Sequence, residues 1–294
     1  MNKQIKNLPN FIIIGAPKCG TTAIFNYLNQ HPQIYMPSCK EPHFFSFEGE
    51  NKPHWGIPNL EAYGTLFEGV TDEIAIGEAS TWYLYSKTAS ERIQYHLPEA
   101  KLIAILRNPV ERAYSSWAFR VQCGWESITN FEQALQAEQS RICDNREWDF
   151  HYLQSGFYYT QIKRYFDLFP REQIKIYLHE DLKADPVGLL QDIFQFLNID
   201  SNFVPDVSVK HNITSSPRNN YLKLFLARKS RLKSIVKSII PNKLRQNVVV
   251  QLRQYNRVKP SPLLPDIRQR FSQVCKEDIL KLENLIERDL SNWL

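Results

Sequence analysis

The stretch Gly15-Ala16-Pro17-Lys18-Cys19-Gly20-Thr21-Thr22 sets two glycines, a lysine and two threonines directly after the apolar run Phe11–Ile14. That combination suits an anion. Glycines let backbone N–H groups turn inward, and a helix starting at Thr22 adds the partial positive charge of its N-terminus. The glycine spacing is that of the phosphate-binding pattern G-x-x-x-x-G-K-[ST], with Thr22 in the Ser/Thr place. Thr21 stands where that pattern has its lysine, and a lysine sits inside the loop instead, at Lys18. The displaced lysine argues away from a kinase-like phosphotransferase, which also needs an Asp for Mg²⁺ that is not evident here. Lys18, Cys19, Gly20, Thr21 and Thr22 are the first candidate phosphate ligands, with Lys18 also placed to stabilise a leaving phosphate.

A second group follows at Leu106-Arg107-Asn108-Pro109-Val110-Glu111-Arg112-Ala113-Tyr114-Ser115-Ser116. Asn108 is a good helix N-cap and Pro109 a good first helical residue, so Arg107 falls at the carboxyl end of a strand. Ligands of open α/β sheets bind at such strand ends. Arg107 can grip a phosphate with two prongs, and Ser115 can donate from two turns into the helix. The plainer alternative for Arg107 is a salt bridge to Glu111. A third knot, Lys40-Glu41-Pro42-His43-Phe44-Phe45, runs polar groups into aromatics. Burial there would raise the pKa of Glu41 while Lys40 pulls it down, and His43 titrates near neutrality without help. Its plainer alternative is a surface turn in which Lys40 pairs with Glu41.

Four short apolar runs are expected to form buried strands that position these groups: Phe11–Gly15, Glu73–Glu78, Lys101–Arg107 and Gln173–His179. Helical patterns alternate with them at Thr22–Gln30, Glu91–His96, Pro109–Cys123, Phe131–Ser140, Tyr158–Phe169 and Pro186–Leu197. The last of these has Asp185 as N-cap and Pro186 at its first position. Such alternation implies an α/β fold, a P-loop-like three-layer arrangement with a central parallel sheet flanked by helices. The C-terminal third reads as helical, with segments at Asn220–Ile239, Lys243–Tyr255 and Asp266–Glu287. No linker divides the chain, so residues 1–294 are expected to form a single domain.

Composition narrows the class. Hydrophobic residues make up 43% of the 294, enough for a buried core, and no apolar run is long enough to span a membrane. The five cysteines are scattered with no CxxC pair, which speaks against a zinc site or disulfide framework and for a cytoplasmic setting. Charge is uneven. Between Val207 and Pro265 lie 13 of the 36 basic residues and none of the 31 acidic ones, leaving 23 basic against 31 acidic elsewhere. This basic segment, 207–265, suits an anionic surface and allows peripheral membrane contact, or it docks on the acidic remainder of its own chain. Binding of nucleic acid through it is the non-enzymatic alternative.

Pro17-Lys18-Cys19-Gly20-Thr21-Thr22 resembles the 5′-phosphosulfate loop of sulfotransferases that use 3′-phosphoadenosine 5′-phosphosulfate (PAPS). The Arg107-Asn108-Pro109…Ser115 group resembles their second motif, in the bacterial and heparan-sulfate-type branch. The resemblance implies that Arg107 and Ser115 hold the 3′-phosphate and that Glu41 is the catalytic base, with His43 as its rival. Transfer of the sulfuryl group to a hydroxyl, less readily an amine, would follow, without a metal. Gly77-Glu78-Ala79-Ser80-Thr81-Trp82-Tyr83 resembles the segment lining the acceptor cleft, which makes Glu78 and Tyr83 candidate acceptor contacts beside Glu41 and His43. Asn212 and Arg218 fall where related enzymes close a loop over the nucleotide, although the disulfide and the Lys-Gly-Arg loop of the heparan-type branch are missing. The expected partner is a saccharide, lipid or small-molecule acceptor, and no nucleic acid.

Overall fold

The computed structural model describes residues 7–47, 56–144, 148–209, 216–217, 257–258 and 262–294. The chain divides into two compact units: residues 1–112, 155–212 and 272–294 form the first, and residues 113–154 and 213–271 the second.

The first unit is built on five parallel strands, β1 (Phe11–Gly15), β2 (Ile34–Tyr35), β3 (Ala75–Ala79), β4 (Lys101–Leu106) and β5 (Ile174–Leu178), in the order β2-β3-β1-β4-β5. Every residue of β1 is buried, which explains its unbroken apolar sequence: a parallel strand covered on both faces has no polar side. Each of Phe11, Ile12, Ile13 and Ile14 contributes about 1.5–3 kcal/mol by leaving water. The helices of this unit include α1 (Thr21–Leu28), α2 (Leu60–Gly64), α3 (Ala89–His96), the first turn of α4 (Pro109–Cys123), α7 (Tyr158–Phe166), α8 (His179–Ala184) and α9 (Pro186–Leu197). The expected caps are present. Asn108 Oδ1 accepts from the N–H of Val110 at 3.0 Å and of Glu111 at 3.1 Å, and Asp185 Oδ1 accepts from Gly188 N at 2.9 Å. The C-terminal helix α10 (Pro265–Ile286) sends its later turns into this unit, and Trp293 packs in the core, its carbonyl accepting from Asn108 Nδ2 at 3.1 Å.

The second unit holds the rest of α4, α5 (Phe131–Gln136) and α6 (Glu138–Cys143), with a two-residue antiparallel ladder of β6 (Ser216–Pro217) and β7 (Arg257–Val258). Its buried Glu126 is gripped by Arg141 at 2.7 and 3.1 Å and by the Tyr152 hydroxyl at 2.8 Å. Glu138 accepts from the N–H of Leu153 and Gln154 at 2.9 and 2.7 Å.

Several boundaries differ from expectation. β3 starts two residues later and includes Ala79, and the helix expected over Phe131–Ser140 is two short ones separated at Ala137. His179, expected as the end of a strand, is the first residue of α8. The helices expected at 220–239 and 243–255 lie outside the described residues.

Candidate active site

The sheet order sets β1 between β3 and β4, so the loops after these strands neighbour one another at the carboxyl edge, where ligands of parallel sheets bind. The first residues past each strand are polar or loop-forming: Ser80 and Thr81 after β3, the glycine loop from β1, Arg107 after β4, and His179 after β5.

The loop between β1 and α1 depends on its two glycines for different reasons. Gly20 has φ 103°, and a Cβ there would stand 2.7 Å from Leu182 Cδ2 and 3.2 Å from His179 Nδ1. Gly15 admits no side chain because a Cβ would meet Leu84 Cβ at 2.7 Å and the Thr81 carbonyl at 2.9 Å. Lys18, half-buried, also has a positive φ of 71°. Among the described residues, the amide N–H groups of Gly20, Thr21 and Thr22 and the hydroxyls of Thr21 and Thr22 have no hydrogen-bond acceptor. Unanswered N–H groups at the start of a helix form a ready anion cradle.

Two residues that sequence reasoning did not single out tie this loop to its neighbours. The Tyr158 hydroxyl, fully buried, donates to the Arg107 carbonyl at 3.1 Å and lies 3.8 Å from Cys19 Sγ. His179 Nδ1 lies 3.0 Å from the Cys19 carbonyl; a carbonyl can only accept, so Nδ1 carries the proton. Burial, then the charges of Arg107 and Lys183, lower His179 to a pKa of about 4, and it is neutral at pH 7. Burial pushes the Cys19 thiol up to about 11, against the pull of Arg112, Tyr158 and Arg107, so Cys19 is a packing group and not a thiolate. Both links are long-range in sequence, and only the Tyr-rich start of α7 hinted at either.

Arg107 makes the salt bridge to Glu111, Nε and Nη2 both reaching Oε2 at 3.4 and 3.2 Å. Its remaining guanidinium N–H groups have no protein partner among the described residues. Ser115 is buried within α4, in the part of that helix belonging to the second unit. Asn212 and Arg218 lie outside the described residues.

Glu41 and His43, weighed as rivals from the sequence, form a pair. His43 Nε2 is 3.2 Å from Glu41 Oε2. Burial lowers the His43 pKa, which Glu41 partly offsets, so the ring is uncharged at pH 7. Thr81 holds Glu41 by its N–H at 2.8 Å and its hydroxyl at 3.1 and 3.2 Å, and Lys40 Nζ pairs with the same carboxylate. Thr81 therefore joins the two halves of the site, since its carbonyl packs on Gly15. Glu78 and Tyr83, the other two expected acceptor contacts, are enclosed. Both are fully buried, and Glu78 accepts from Ser80 Oγ at 2.8 Å and Tyr63 OH at 3.2 Å. Burial lifts the Glu78 carboxyl to about 7, against the downward pull of the Tyr83, Ser80 and Tyr63 hydroxyls. Among the described residues, no cluster of three or more His, Cys, Asp or Glu could hold a metal, and no helix is long and apolar enough to cross a membrane.

With its polar groups gathered at the carboxyl edge of a parallel sheet, the first unit places the molecule in the P-loop-like α/β class. Residues 8–259 match the sulfotransferase domain, and the chain belongs to that family. A solved sulfotransferase from Alicyclobacillus acidocaldarius superposes with a TM-score of 0.76 at 33% identity, covering 98% of this chain and 99% of that one. The bifunctional heparan sulfate N-deacetylase/N-sulfotransferase 3 of Homo sapiens is 30% identical over 203 residues, which cover 67% of this chain and 23% of that protein. The membrane-associated sulfotransferase kil1 of Dictyostelium discoideum is 25% identical over 296 residues, covering 74% of this chain and 62% of that protein. The chain thus spans less than two thirds of either relative's length.

Proposed function

We propose that the chain transfers a sulfuryl group from PAPS to a hydroxyl, less readily an amine, of a saccharide acceptor, with Glu41 as the base. The observation that carries this reading is the set of unanswered donors at Gly20, Thr21 and Thr22, with Arg107 one strand away. A donor with phosphates at both the 5′ and 3′ positions needs two such anion sites. PAPS supplies an activated sulfuryl group whose transfer leaves 3′-phosphoadenosine 5′-phosphate (PAP).

The Gly20–Thr22 donors would hold the 5′-phosphate, and Lys18 would neutralise charge where the bond to sulfur breaks. Arg107 would hold the 3′-phosphate; the family resemblance alone adds Ser115 to that role, and Asn212 and Arg218, which lie outside the described residues, to closure over the nucleotide. The preference for a saccharide rests on relatives named for heparan sulfate and for carbohydrate. Glu41 would take the acceptor's proton. All its lone pairs are engaged in this structure, so one donor must yield, and Lys40, on its flexible four-carbon stem, is the one suited to do so.

The test is acceptor-dependent release of PAP from PAPS, using a de-N-sulfated glucosamine polymer, chondroitin, a long-chain alcohol and a phenol. Release matched by label on a saccharide is expected, and Glu41→Gln should abolish it while keeping PAP affinity. No release with any acceptor counts against the reading. Undiminished turnover in Glu41→Gln removes Glu41 from its role.

A further inference from the structure

The segment carrying Glu41 and His43 is held in a conformation that its own residues resist. Glu41 has φ 64° and His43 φ 52°, with Pro42 between them, in the left-handed region that L residues rarely adopt. Such a backbone persists only when its surroundings over-determine it. The surroundings here are a single neighbouring stretch. Alternate amides of the segment are answered in turn: Glu41 N–H by the Ala79 carbonyl at 2.9 Å, His43 N–H by Ser80 Oγ at 2.9 Å, and Phe45 N–H by the Tyr83 hydroxyl at 3.3 Å.

Ser80 can serve this way because of Glu78. A serine hydroxyl has one proton, and Ser80 directs it to Glu78 Oε2 at 2.8 Å, which leaves the oxygen free to accept from His43. Tyr63 occupies the other carboxyl oxygen of Glu78 at 3.2 Å. Glu78, Ser80 and Tyr83 have no solvent exposure, so they are closed to an acceptor. A leucine at position 78 would suit a buried strand without the cost of an enclosed carboxyl, but would leave the Ser80 proton without its acceptor.

We propose that Ser80, oriented by Glu78 and seconded by Tyr83, is a positioning residue that fixes the Glu41–His43 pair for proton transfer. The inference rests on the reading of Glu41 as the base. It assigns Glu78 and Tyr83 to the support of the base segment in place of contact with the acceptor.

The test compares Ser80→Ala, Ser80→Thr and Tyr83→Phe with wild type by PAP release from PAPS. Ser80→Ala loses both hydrogen bonds of the hydroxyl, of which the one to His43 N–H fixes the pair, and should lower kcat about tenfold while leaving the KM for PAPS within about twofold. Ser80→Thr, which keeps the hydroxyl, should recover most of the rate. Tyr83→Phe keeps the ring, and should lower kcat about threefold if Ser80→Ala does not fold. A kcat within about twofold of wild type in Ser80→Ala, or a loss carried by KM, overturns the proposal. Amide exchange supplies a second reading that needs no turnover: Ser80→Ala should speed exchange across residues 41–46 and leave residues 11–25 unchanged. Absence of that change overturns the fixture. Wild type that neither binds PAP nor turns over PAPS sinks the donor assignment instead, and leaves the exchange result to judge the fixture.

Discussion

Replacing Glu78 by glutamine should make stability depend on pH in a way that wild type reveals by difference. The Glu78 carboxyl is lifted from 4.5 to about 7 because burial penalises its charged form. The folded state therefore binds a proton that the unfolded state has released between those two values. Stability contributed by this proton is complete below the unfolded pKa, declines as pH rises through 4.5 to about 7, and is gone above that. The shift corresponds to about 3 kcal/mol at most, or roughly 6 °C in Tm for a chain of this size.

The glutamine side chain carries no charge at any pH, so the Tm of Glu78→Gln minus that of wild type should grow from about pH 4.5 to about pH 7 and level off above that. Other groups that titrate in this window, Asp278 at about 6 among them, occur in both proteins and cancel in the difference. The loss of hydrogen-bond geometry at the substituted side chain offsets all points equally. Thermal unfolding at half-unit pH steps measures the effect. A difference flat across that range refutes the claim that an enclosed, neutral-leaning carboxyl sits beneath the base segment.

Tyr158→Phe removes the hydroxyl between Arg107 and Cys19, and should weaken PAP binding about fivefold at little cost in fold, since one hydrogen bond contributes about 1 kcal/mol; calorimetry checks it. Gly20→Ala must hold φ 103° and press on Leu182, so it should cost about 1–3 kcal/mol of stability and abolish PAP binding, read by thermal shift with and without ligand. Asn108→Ala loses both the cap of α4 and the donor to the Trp293 carbonyl, and should lower stability by about 1–2 kcal/mol in chemical denaturation.

The phosphate loop, the Asn108-Pro109 start of α4 and the Asp185 cap were legible because each is a local device: a few adjacent residues set the backbone there. The fully buried strands announced themselves by unbroken apolar sequence. The enclosure of Glu78 was not legible, because a carboxylate at a strand end ordinarily faces solvent. Its enclosure depends on Tyr63, fifteen residues earlier, and on the Ser80 hydroxyl. Tyr158 and His179 reach the phosphate loop across 139 and 160 residues, a proximity that only the strand order creates. The break at Ala137 has no local signal, since alanine is the best helix former. The Glu41–His43 pairing was half visible. Their spacing put both in one knot, but the left-handed backbone that turns them together is imposed by residues 79–83.

In the proposed function, the Gly20–Thr22 cradle and Arg107 bind the two ends of one nucleotide. Calorimetric titration with PAP and with adenosine 5′-phosphate, on wild type, Lys18→Ala and Arg107→Ala, tests it most directly. Wild type should bind one PAP and prefer it to adenosine 5′-phosphate by about a hundredfold, as a charge-assisted phosphate contact of about 2–3 kcal/mol requires. Lys18→Ala should weaken both ligands, and Arg107→Ala should weaken PAP alone, erasing the preference. Wild type that shows no binding of PAP, or an Arg107→Ala variant that still prefers it, contradicts the account.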